Sequence, residues 1–185
     1  MKRALFLAVL TALHWAATPP ALAADPQYAE EYKLKAAFIY NFTQFVEWPA
    51  EAFGRPEDAF NICVFGKDPF GDALKALEKR QVRGRPINVA YLRQTSELRS
   101  CHILYVDTPK EASANGLSFK AIAEWPLLSV SSGEFASEQG VAIGFVQQGG
   151  RLRWELNLET TRKARLKVSA KLIEIAVSVI GPANR

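Results

Sequence analysis

The stretch VAIGFVQQGGRLRWELN, Val141–Asn157, reads as two alternating strands around Gly149-Gly150. A glycine pair takes the positive φ angles that a two-residue hairpin turn demands. Closing the turn there sets Phe145 opposite Trp154, Ile143 opposite Leu156 and Val141 opposite Leu158, an apolar ladder suited to a buried sheet face. The other face pairs Val146 with Arg153, Gly144 with Glu155 and Ala142 with Asn157. Small residues thus flank one carboxylate, with Arg153 and Asn157 as its neighbours. Two readings stay open: a solvated face with an internal Arg153–Glu155 pair, or a partner-recognition strip centred on Glu155. Neither carries a catalytic pattern.

Upstream of the hairpin, short apolar runs alternate with helical pieces. Phe60–Phe65, Ile87–Leu92, Cys101–Val106 and Leu127–Val130 read as strands, and Pro69–Lys79, Thr95–Arg99 and Gly116–Glu124 as helical segments between them. This alternation predicts βαβ units and hence a parallel sheet. The hairpin would add two antiparallel strands at one edge. Tyr28–Val46 carries a helical stripe of Leu34, Ala37, Phe38, Asn41, Phe42 and Phe45, ended by Pro49; it suits a core-facing helix or a dimer face. A last helix is predicted from the N-cap Ser169, with Leu172, Ile173, Ala176, Val177 and Ile180 on one side before Gly181-Pro182. The expected fold is a single compact α/β domain with a mixed, mostly parallel sheet flanked by helices.

The chain has 185 residues, with 23 Lys+Arg against 19 Asp+Glu. Lys2-Arg3, the apolar run Ala4–Leu13 and Ala21-Leu22-Ala23 match the three regions of a cleavable secretory signal, so residues 1–23 are expected to be removed. The remaining 162 residues, from 24 to 185, suffice for one domain, and their 21 basic against 19 acidic groups argue against nucleic-acid binding. No stretch is apolar for long enough to span a bilayer.

Candidate chemistry is sparse. GKDPFG (66–71) has the glycine spacing of a phosphate loop, but Asp72 and Ala73 stand where lysine and Ser/Thr are needed. His102 lies in an apolar strand with too few companions for a metal site. Cys101 beside it invites a thiol nucleophile, yet export favours a disulfide. Ser131-Ser132-Gly133 lacks the nucleophile-elbow pattern. Asp68 and Asp72 sit where helix capping explains them. No catalytic residue, metal ligand or cofactor site is expected. With two cysteines, Cys63–Cys101 is the possible intramolecular bridge; the alternative is two reduced core thiols. Arg162, Lys163, Arg165 and Lys167 form a basic patch, read as a solvated face or as attraction to an anionic surface.

Four motifs carry a resemblance. LKAAFIYNFTQFVEWP (34–49), ICVFGKDPFGDAL (62–74), CHILYV (101–106) and the Ser132–Asn157 block ending in GGRLRWELN resemble the YfiR family. The resemblance implies a periplasmic regulator, often dimeric, that represses an inner-membrane diguanylate cyclase by holding its periplasmic domain, and so limits cyclic-di-GMP synthesis and biofilm formation. By the same resemblance, Cys63 and Cys101 match a family disulfide, and Glu155 matches a position tied to partner contact. Ile143 and Phe145 extend that site along the strand, although geometry puts them on the core face. A second cysteine pair found near the hairpin in some relatives is absent here. A small-molecule site at Gly66–Phe70 and Asp107–Pro109, outside the strand carboxyl ends, is the rival expectation.

Overall fold

The computed structural model describes residues 26–133 and 135–181. The expected leader, residues 1–23, lies outside the described residues.

Helix α1 (Pro26–Phe45) leads into strand β1 (Val46–Glu47), a 3-10 turn at Ala50–Ala52 and strand β2 (Phe60–Phe65). Helix α2 (Asp72–Lys75) runs on into a 3-10 turn at Ala76–Lys79, followed by β3 (Gln81–Val82), β4 (Arg85–Leu92), a 3-10 helix at Thr95–Ser100, β5 (Ile103–Val106) and α3 (Pro109–Ala114). The rest comprises β6 (Leu128–Ser132), β7 (Ile143–Gln148), β8 (Arg151–Asn157), α4 (Leu158–Lys163), β9 (Lys167–Val168), α5 (Ala170–Glu174) and β10 (Ser178–Ile180).

Among the described residues, eight strands form one sheet in the order β10-β8-β7-β6-β5-β2-β4-β3. Strands β4, β2, β5, β6 and β7 run parallel, as the alternating apolar runs and helical pieces predicted. The β7–β8 hairpin is antiparallel in the register read from its turn, with Ile143 opposite Leu156, Gly144 opposite Glu155 and Phe145 opposite Trp154. Gly149 and Gly150 make the turn at φ 58° and 70°.

The central strands are buried on both faces, and alternate residues feed two cores. Ile62 and Val64 of β2 join α1, Phe145 and Trp154 in one layer, while Cys63 and Phe65 join Leu98, Leu104 and Phe119 in the other. The α1 face of Tyr32, Ala36, Ile39 and Phe42 is buried, and Phe42 lies 5.5 Å from Trp154 and 5.9 Å from Phe145 between ring centres. Of the expected stripe, Phe42 is buried and Phe38 and Phe45 pack against the core, whereas Leu34, Ala37 and Asn41 are exposed: the buried face is rotated toward Tyr32, Lys35, Ala36 and Ile39. Cys63 and Cys101 are bridged, tying β2 to the residues just before β5.

Three further expectations need correction. The last helix stops at Glu174, and the run that follows pairs as β10 beside β8, so the hairpin is not the sheet's edge. Ile175, Val177, Val179 and Ile180 are β-branched, and β8 offers a free ladder; the Val177 N–H donates to the Trp154 carbonyl at 3.0 Å. Residues 116–124 are turns rather than a helix, with Leu117, Phe119 and Ile122 pinned into the second core. The helix of this region is α3, capped by Thr108, whose hydroxyl accepts the Glu111 N–H, with Pro109 in its first turn.

Candidate functional site

The hairpin's sparse face is covered by the chain's own segment 135–140. Gly144 is needed beneath it, because a Cβ there would stand 3.1 Å from the Ala136 Cβ and 3.3 Å from the Ser137 nitrogen. Ser137 Oγ donates to Glu155 Oε2 at 2.6 Å. The cleared space thus receives this segment, and Glu155 bonds Ser137 rather than Arg153. Arg153 instead donates from Nη2 to the Ile175 carbonyl at 3.4 Å. Strand β10 sets Ser178 beside Glu155.

Glu155 and Arg153 are both half-buried, so part of each side chain still reaches solvent. Asn157 is 7% exposed and works internally: its Nδ2 donates to the Ser137 carbonyl and its Oδ1 caps α4 by accepting the Thr160 N–H. Ile143 and Phe145 are 0% and 2% exposed. They can influence a partner only through the packing of β7. The strip therefore offers Glu155 and Arg153 directly, with Ser137 and Asn157 holding its cover in place. Sequence reading missed Ser137; the small residues Gly144 and Ala142 were the signal that something packs there.

The crevice at the strand carboxyl ends is partly filled by the protein itself. Tyr32 Oη donates to Asp107 Oδ1 at 2.5 Å, Tyr105 Oη donates to the same oxygen at 2.9 Å, and the Tyr32 and Phe70 rings meet edge to face at 5.3 Å. Burial, then the bond to Asp107, raises the Tyr32 phenol far above its ordinary range, and burial does the same for Tyr105. Across the crevice, the Glu111 carboxylate accepts the Lys67 N–H at 3.0 Å. These contacts fill the space between Phe70 and Asp107, while a pocket of about 260 Å³ stays open beside Gly66 and Asp68, walled by Tyr91 and Arg93.

A wider cleft, of about 1020 Å³, opens at the opposite end of the sheet. Glu51, Ala52, Arg99, Trp125, Glu159 and Arg165 are among its walls. Within the expected basic patch, Lys163 pairs with Glu159 at 2.7 Å and Arg165 with Glu51 at 2.8 Å, so these charges are balanced locally. Next to this wall, His102 is 5% exposed and neutral, its pKa lowered to about 4 chiefly by burial. Among the described residues, no group of three or more His, Cys, Asp or Glu side chains is placed to hold a metal ion, and no helix is long and apolar enough to cross a membrane.

Residues 32–177 match the sequence profile described as YfiR/HmsC-like. No curated protein matches the chain at a significant level. The matched span runs from the middle of α1's first half to the approach to β10, and so includes both cores, the bridge and the hairpin.

Proposed function

The chain belongs to the YfiR/HmsC-like family, and from that premise we propose that it is a periplasmic repressor that binds the periplasmic domain of an inner-membrane diguanylate cyclase. The family is periplasmic and regulatory, and acts in cyclic-di-GMP signalling through protein partners. The proposed repressor acts by binding rather than catalysis, limits biofilm formation, works as a homodimer, and is exported through the leader 1–23. The family match over residues 32–177 is the observation that carries this reading.

The contact strip of this proposal is Glu155 with Arg153, supported from behind by Asn157, Ile143 and Phe145. Two features support it. Glu155 is held in one orientation by Ser137, which reduces the entropy lost when a partner engages it. It also lies on β8 between the hairpin partner β7 and the strand β10, so its position is set by a ladder on each side.

The test is co-purification from detergent-solubilised membranes, with cellular cyclic-di-GMP measured alongside. The wild-type protein should bring down a diguanylate cyclase, and Glu155→Arg should lose it and raise cyclic-di-GMP. Glu155→Gln keeps an acceptor for Ser137 while removing the charge, and should weaken capture while leaving the fold intact. A cyclase captured equally by all three proteins moves the contact away from Glu155. Capture of no cyclase by the wild type sinks the repressor reading itself.

A further inference from the structure

His102 ties the connector 49–58 to β2 and to the start of β5, beside Arg85, which ties it to β4. Its Nδ1 accepts the Asn61 N–H at 2.9 Å, which leaves the ring proton on Nε2 to be donated to the Ala52 carbonyl at 3.1 Å. The ring stacks on Phe53 at 4.4 Å and 16°, and against Phe60 at 4.9 Å and 24°. Its backbone carbonyl accepts the Trp48 indole N–H at 3.0 Å. One imidazole thus pins the connector 49–58 to β2 and to the start of β5.

This geometry suits only the neutral ring. A protonated imidazole would carry a hydrogen on Nδ1, facing the Asn61 N–H with no acceptor there. The charged groups acting on the ring are Arg85 of β4, which opposes protonation, and Asp58 of the connector, which favours it. Arg85 lies 3.9 Å from the centre of the Phe53 ring and donates to the Arg55 and Asp58 carbonyls. From β2 and the start of β5, the neighbours Phe60, Asn61 and disulfide-bonded Cys101 bring no charge.

We propose that His102 is an acid-operated latch: protonation of its imidazole releases the connector 49–58 from β2 and β5, and with it Glu51 and Ala52 from the wall of the wide cleft. The Cys63–Cys101 bridge holds β2 to β5 meanwhile, so the opening is confined to the connector. The ties that remain are the Glu51–Arg165 ion pair at 2.8 Å and the Arg85 bonds to the Arg55 and Asp58 carbonyls at 2.8 and 2.9 Å. A ring with pKa about 4 when latched and 6.5 when free shifts the balance toward the released state by about 20-fold between pH 7 and pH 5.

Hydrogen exchange from pH 7.5 to 4.5, run beside an NMR titration of the His102 imidazole, tests the latch. Corrected for intrinsic rates, protection of amides 50–58 should fall about 20-fold from pH 7 to 5, while β2 and β5 stay protected. In His102→Gln, which can still bond both Ala52 and Asn61 but does not titrate, that fall should vanish. An equal fall in His102→Gln overturns the proposal. If that variant does not fold, the wild type decides: protection of 50–58 that falls from about pH 6.5 downward, ahead of the ring's own titration near pH 4, supports the latch, and protection unchanged down to pH 4.5 overturns it.

Discussion

At the scale of single residues, burial has set the chemistry of several side chains. His102 is neutral in the folded chain with a pKa of about 4, against 6.5 when free. Between those values the unfolded chain binds the extra proton, so stability is full above pH 6.5 and falls as pH drops toward 4. The loss should reach about 3 kcal/mol, read as a urea midpoint that shifts in the wild type and shifts less in His102→Gln. Gly144 is the second such residue. Gly144→Ala should cost about 1–3 kcal/mol by pressing on Ala136 and Ser137, and should raise hydrogen exchange across 135–140 without moving β7. Glu155 was legible as the carboxylate beside small residues, whereas its partner was not. A residue contributed by a separate loop leaves no mark in the strand's own alternation, and Ser137 is such a residue.

At the scale of elements, the hairpin was readable pair by pair because a two-residue Gly-Gly turn admits one register. Gly149→Asn tolerates the observed φ of 58° and should stabilise the protein by about 0.4–1 kcal/mol in thermal unfolding. The elements that escaped reading are short and owe their form to neighbours. The Thr108-Pro109-Lys110-Glu111 run is a capping-box pattern with proline in the first turn, a local signal that was present for α3. Strand β10 depends on β8: helical spacing in Leu172–Ile180 competes with β-branching, and the free ladder decides. Val177→Pro removes the N–H that bonds the Trp154 carbonyl. It should free β10, seen as faster amide exchange in Arg153–Leu156, with the remaining strands still protected.

At the scale of the whole molecule, two cores share one sheet, and the disulfide sits in the second. Its cysteines are 38 residues apart, a loop for which chain entropy predicts about 4 kcal/mol. Cys63→Ala with Cys101→Ala should lose up to that amount in denaturant unfolding, with the native circular dichroism retained in buffer. The parallel architecture was legible because buried strands are uniformly apolar. The filling of the crevice beside Asp107 was not legible, since α1 comes from far upstream in sequence and its Tyr32 is what reaches there. The rings of Phe38 and Phe42 on that helix rest on Trp154 of β8, more than a hundred residues later. Their shared core therefore cannot close until nearly the whole chain is present. A polypeptide emerging from its N-terminus has no early, self-sufficient subdomain in which α1 could become trapped, so completion of folding is deferred to the last strands. In the proposed export through the leader 1–23, this late closure would keep the chain competent for transport.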